Sequence, residues 1–125
     1  MSNYTDTNDF LKKLKIHRAD RPSRLATKLM KHRVAHMQEE VDELMQAHND
    51  KDLHGQVDAL IDLTYIVMGT ANMMGITEED WHACWNEVHK ANMSKETVPD
   101  ETHKLGVKKP RGWVAPDFSE VIGAE

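Results

Sequence analysis

Residues 37–69 read MQEEVDELMQAHNDKDLHGQVDALIDLTYIVMG. Ahead of the polar knot NDKDLHG, Val41 and Leu44 continue an apolar stripe that passes through Met30, Val34 and Met37. Its alternating spacing of four and three is the repeat of one helix face, and predicts a continuous buried stripe. Behind the knot, Val57, Leu60, Ile61, Leu63, Tyr65, Ile66, Val67 and Met68 leave few polar positions. A helix that is apolar nearly all round sits at the centre of a bundle or is covered by another subunit. The knot is short enough for the two helices to run back along each other. The expected fold is therefore all-α, an antiparallel helical bundle of about four helices completed by oligomerisation.

The same stretch carries two acidic clusters, Glu39, Glu40 and Glu43 before the knot and Asp58 and Asp62 after it. Residues three or four apart share a helix face, so Glu40 projects with Glu43 and Asp58 with Asp62. Like charges stacked in this way repel unless something cationic lies between them. Asp58 and Asp62 also interrupt the most apolar helix, where an unpaired carboxylate is costly. A solvated acidic face is the ordinary fate of an EExxE string. A hairpin that brings both clusters together instead reads as a site for Mg²⁺, which takes carboxylates, waters and substrate phosphates as ligands.

Outward from this hairpin, a short helix is expected over about residues 7–15 and a long one from about Ser23 to His48, with Asp20 and Pro22 as start signals. Asp50 or Asp52 is the expected N-cap of the third helix, which ends at Gly75 as a left-handed cap. Thr77 caps a fourth helix that carries Trp81, Cys84, Trp85 and Val88 on its apolar side and ends near Asn92. From Ser94 the prolines and glycines indicate an arm, with a last short turn over Phe118 to Ile122. The expectation is one domain over residues 1–125, of which 94–125 form the arm and tail.

A chain of 125 residues with 39% hydrophobic and 30% charged residues suits one globular domain. No apolar run approaches the length of a membrane span, and MSNYTDTNDF has no signal core, so a cytoplasmic location is expected and no membrane partner. The one cysteine, Cys84, excludes an internal disulfide and reads as a packing residue. The net charge of −5 hides a basic stretch from Lys12 to Arg33. That stretch supports an alternative reading, a small helical nucleic-acid-binding module. A solvated helix face accounts for most of the same residues, so the enzyme reading is preferred to a nucleic-acid partner.

Lys90, Asn92 and Lys95, at the end of the fourth helix, could neutralise and hydrogen-bond a phosphate chain. Lys104, Lys108, Lys109 and Arg111 form a further basic group in the arm, ahead of Gly112 and Trp113. His32 and His36 lack the glutamate of a zincin, and Glu79 with His82 is only half of a di-iron motif. The common glycine-rich nucleotide loops are absent.

Four blocks in order, EEVDELMQA (39–47), DALIDLTYIVMGTANMMGI (58–76), EVHKANMSK (87–95) and KKPRGWVAPDF (108–118), resemble the MazG-like all-α nucleoside triphosphate pyrophosphohydrolases. The resemblance is to the phosphoribosyl-ATP pyrophosphohydrolase-like branch, common in phages and bacteria, and spans roughly residues 20–120. It implies hydrolysis of the α–β bond of a nucleoside triphosphate to a monophosphate and pyrophosphate, with a role in nucleotide pool control. It implies two or more Mg²⁺ ions per site, replaceable by Mn²⁺, held by a Glu-x-x-Glu that maps onto Glu40 and Glu43 and a Glu-x-x-Asp whose aspartate maps onto Asp58. Gly55 stands where the glutamate of that second pair is expected, and Asp62 is the carboxylate that could replace it. Glu39 or Glu40 would be the general base. Lys90, Asn92, Lys95 and Lys109 would hold the nucleotide. Relatives act on phosphoribosyl-ATP, dUTP, dCTP or several triphosphates, and some on dGTP, so a purine such as dGTP or GTP is among the substrates implied. A homodimer or homotetramer is expected, in the host cytoplasm if the chain is phage-encoded.

Overall fold

The polar knot closes a helical hairpin. The computed structural model describes residues 2–97 and 107–123. Its helices are α1 (Asn3–Lys13), α2 (Thr27–Asn49), α3 (Leu53–Met73), α4 (Glu78–Met93) and the short α5 (Ser119–Ile122). Two two-residue strands, β1 (Glu96–Thr97) and β2 (Val107–Lys108), pair antiparallel with Glu96 opposite Lys108. The fold class is all-α, as the periodicity predicts. The chain divides into two units, Met1–Glu78 and Glu79–Glu125.

In the first unit α2 turns back into α3 through residues 50–52, with Lys51 in the left-handed region at φ 56°. Asp52 caps α3 by accepting a hydrogen bond from the Gly55 amide at 2.9 Å. The cap satisfies one of the helix's free N–H groups. At the other end of α3, Gly75 (φ +82°) donates to the Asn72 carbonyl and Ile76 to that of Ala71. This paired closure needs a residue that tolerates positive φ. A Cβ at position 75 would also strike the Arg21 carbonyl. The loop before α2 is strapped onto the same end, with the Ala19 amide donating to Met73 O at 3.1 Å and that of Ser23 to Met74 O at 2.9 Å.

That strap explains why α2 begins at Thr27 and not near Ser23. Asp20 and Pro22 lie in a bend, and Ala26, the actual cap, offers no side-chain acceptor. Conversely α1 begins earlier than its apolar residues suggest. Ser2 and Thr5 form a capping box, in which the Ser2 amide donates to Thr5 Oγ1 at 2.9 Å and the Thr5 amide to Ser2 Oγ at 3.3 Å.

The core lies where α1 meets the C-terminal half of α3. Tyr4, Thr7 and Leu11 are buried against a run from Gly69 to Met73 that is buried throughout. Asn72, 1% exposed, donates from Nδ2 to Thr7 Oγ1 (2.7 Å), Tyr4 O (3.1 Å) and Met68 O (3.2 Å). The Tyr4 hydroxyl donates to Ile76 O at 2.7 Å. By contrast the expected buried stripe on α2 is only half-covered. Met30, Met37 and Leu44 are half-buried, Val34 and Val41 are exposed, and no α2 residue is fully buried. The single helix α3 lies along α2 and covers one side of the stripe. Leu53, Val57, Leu60 and Ile61, in the N-terminal half of α3, are likewise exposed.

In the second unit, Trp81, Cys84, Trp85 and Val88 of α4 line an apolar groove with Phe118. Burial first, then the neighbouring charges of Asp80 and Glu87, push the Cys84 thiol up, so it is not a thiolate at neutral pH. Among the described residues no single helix is long and apolar enough to cross a membrane.

Replacing Asn72 by Leu removes three hydrogen bonds while roughly keeping volume; the Tyr4 carbonyl keeps its bond from the Thr7 hydroxyl (2.8 Å), but the buried Thr7 Oγ1 loses its donor. The expected loss is about 2–3 kcal/mol of unfolding free energy. Urea denaturation measures it, and a change below about 0.5 kcal/mol would show that α1 docks by apolar contact alone.

Candidate active site

The hairpin register decides which acids meet. Ala47 lies beside Gly55, and Arg33 bonds to Ile66 and Thr70, so α2 and α3 run antiparallel with Glu40 and Glu43 opposite Asp58 and Asp62. Glu40 and Asp62 line one pocket. Glu43 and Asp58 are exposed and complete the cluster at its edge. Glu39, one position round the helix, instead lines a shallow recess with His32 and His36.

Glu40 carries the strain of this arrangement. Its Oε2 is buried and accepts no hydrogen bond. Its carboxyl is pushed up to about 7. The largest cause is the hydrogen bond that protonated Glu40 donates to Glu43. Removal from water follows, and then the negative charges of Glu43, Asp62 and Asp58. With both carboxyls ionised that bond cannot form, and an acceptor faces only acceptors. This is the environment a hard cation stabilises. The acids are gathered but not closed into a cage, since no three His, Cys, Asp or Glu side chains among the described residues converge on a ready ligand set. Mg²⁺ needs few protein ligands, because it keeps several waters and takes substrate oxygens.

Gly55 has a structural reason to be glycine. A Cβ there would lie 2.5 Å from Oδ2 of the capping Asp52, whose Oδ1 accepts the Gly55 amide, and 3.2 Å from the Ala47 Cβ. A Glu at this turn would displace the Asp52 carboxylate from its present position.

The second unit holds the basic residues singled out in the sequence. Lys90 and Asn92 are exposed at the end of α4. The backbone turns at once, with the Lys95 amide donating to Asn92 O at 3.1 Å. Lys95 and Lys109 both sit on the Trp113 ring, their Nζ atoms 5.4 and 4.9 Å from its centroid. The indole N–H donates to Ala91 O at 2.8 Å, which fixes the ring against α4. The sequence reading named both lysines but missed the aromatic that gathers them. A tryptophan within four residues of a Lys-Lys pair was the available signal. Lys104 lies outside the described residues. Lys108 pairs with Glu96 at 4.0 Å, an exposed contact of little weight.

Arg33 was also missed, as one of many cations in the basic stretch. Its Nε donates to Thr70 Oγ1 (2.9 Å) and its Nη2 to Ile66 O (3.0 Å), and it lines the same pocket as Glu40 and Asp62. Arg18 is likewise turned inward, onto Asn8 Oδ1 and Ile76 O. Two arginines of the basic stretch are thus spent inside the fold, which weakens the nucleic-acid alternative.

A family model described as phosphoribosyl-ATP pyrophosphohydrolase matches residues 7–92. The matched span takes in most of α1, the whole acidic hairpin and nearly all of α4, and stops at Asn92. No curated protein matches the chain.

A carboxyl raised from 4.5 to about 7 contributes stability that is complete below pH 4.5 and is lost as the pH rises through about 7. In metal-free protein, Glu40→Gln, which mimics the protonated form, should match the wild type near pH 5 and exceed it in denaturation midpoint at pH 8. A stability difference between the two that does not vary between those pH values would place Glu40 outside the like-charge cluster.

Proposed function

The chain belongs to the phosphoribosyl-ATP pyrophosphohydrolase family, whose members hydrolyse nucleotide pyrophosphate bonds, and on that premise we propose that it converts a nucleoside or deoxynucleoside triphosphate to the monophosphate and pyrophosphate, with a divalent metal. The observation that carries this reading is the buried, unpartnered Oε2 of Glu40 among three further carboxylates on the family's hairpin. A structural role would call for cationic partners, and none of the four acids has a salt bridge among the described residues. Glu40, Glu43, Asp58 and Asp62 are the residues that would hold Mg²⁺ or Mn²⁺, two or more ions per site. Bound there, the metal would offset phosphate charge and acidify a water for attack on the α-phosphorus.

The chain's own groups supply the rest. Glu40 would take the proton of the attacking water. Glu39 is the other candidate base, although it lines the neighbouring recess. Lys90, Asn92, Lys95 and Lys109 would bind the phosphate chain, with Lys95 and Lys109 held ready on Trp113. Lysines tethered to an indole lose less conformational freedom on binding an anion than free ones. Control of the nucleotide pool is the role this activity would serve.

Leu53, Val57, Leu60 and Ile61, together with Val34 and Val41, are apolar residues of the hairpin that stand exposed in the single chain. They support a homodimer or homotetramer built on the hairpin. Light scattering at micromolar concentration should give twice or four times the 14.3 kDa chain mass, and a monomer would refute it.

With Mg²⁺ and a panel of triphosphates, the wild type should release pyrophosphate, and Glu43→Ala or Asp58→Ala should lower turnover by about 10³-fold or more. Calorimetry should show Mn²⁺ binding to the wild type and its loss in both variants. Near-normal turnover in either variant would overturn the assignment of the acids.

A further inference from the structure

The pocket that ends at Glu40 and Asp62 is more than an approach to the acids. It lies within the first unit, between α1 and the hairpin, with a volume of about 200 Å³. Phe10, Leu14, Ile16 and Tyr65 make it largely apolar. Phe10 and Tyr65 meet edge to face, with centroids 5.8 Å apart and planes at 74°. Arg33 lines the pocket together with Glu40. The two stand seven residues apart on α2, hence on one face and about 10 Å apart along the axis.

Arg33 is poorly explained as a strap between helices. Its two internal bonds use two of the five guanidinium donors, and no carboxylate pairs with it among the described residues. Partial burial pulls its pKa down, the sign of a charge short of solvation. Gly69 makes room for it, because a Cβ there would come within 3.0 Å of Nη2. The fold thus holds a partly desolvated fork of donors at one end of a slot lined by Phe10 and Tyr65 and the acids Glu40 and Asp62 at the other.

We propose that this slot seats the nucleobase and that Arg33 reads the keto oxygen O6 of guanine or O4 of uracil or thymine, so that the chain prefers these nucleotides to those of adenine and cytosine, which carry an amino group at the same position. The proposal rests on the pyrophosphohydrolase reading above and adds the base class to it. The slot is smaller than the ~300–1,000 Å³ that holds a drug-sized ligand, so it takes a base and leaves the phosphates at the acidic end. Bases bind aromatic walls through their π-faces whatever their identity. Selection therefore falls to the polar edge. Arginine only donates; the keto oxygens O6 of guanine and O4 of uracil or thymine accept, whereas the amino groups of adenine and cytosine present donors to donors.

The test compares kcat/KM for GTP, UTP, ATP and CTP, with Mg²⁺, in the wild type, Arg33→Gln and Gly69→Ala. At least one keto substrate should exceed both amino substrates by about 10-fold or more. Arg33→Gln should reduce that ratio to within about threefold, because an amide donates and accepts. Gly69→Ala, which keeps the charge but crowds Nη2, should move the ratio the same way and serves if Arg33→Gln does not fold. A purely structural Arg33 would lower melting temperatures and leave the ratio unmoved. A wild type without keto preference, or a preference unchanged in the folded variants, overturns the base slot and leaves the hydrolase standing. Failure to hydrolyse any triphosphate overturns both.

Discussion

The amide of Asn72 is the interaction on which the first unit depends. It is a polar group in the most buried part of the chain, and it persists there because Thr7 and the backbone carbonyls of Tyr4 and Met68 meet its donors. Through it α1 is fixed in register on α3. That register sets Phe10 beside Tyr65 and lays Leu11 and Leu14 along the pocket that runs to the acids. The Gly75 closure and the Ala19–Ser23 strap anchor the same end of α3. Polar satisfaction is therefore concentrated at one end of the hairpin and unsatisfied charge at the other.

That division separates stability from chemistry. Near Asn72 every buried donor named has an acceptor; near Glu40 a buried acceptor has only other acceptors. Four carboxylates on two facing helices oppose folding, and apolar packing elsewhere must offset them. Local requirements also conflict. Asp52 is used to cap α3, and its carboxylate occupies the space a side chain at Gly55 would need. Asp62, two turns further along α3, lines the pocket with Glu40.

The second unit follows a related logic with the opposite charge. Lys95 and Lys109 are distant in sequence and would repel if brought together in the open. The face of Trp113 attracts both, and the bond from its indole to Ala91 O ties them to the end of α4. A basic pair is preorganised, and among the described residues no carboxylate forms a salt bridge with it.

By itself the sequence determined the helices, the hairpin and which acids share a face. These follow from spacing of three and four residues and from a polar knot too short for any other connection. It also narrowed the cap of α3 to Asp50 or Asp52 and marked the Gly75 stop, because caps are local chemistry. It did not determine where α1 and α2 begin, since the Ser2–Thr5 box and the Ser23 strap compete with the periodic signal. Nor did it distinguish Arg33 from the other cations near it, or show that Glu40 bears the charge conflict while Glu39 lines another recess. Those are properties of the tertiary structure, because desolvation and electrostatic coupling depend on what lies across the gap between two helices. Sequence spacing along one helix cannot report that distance.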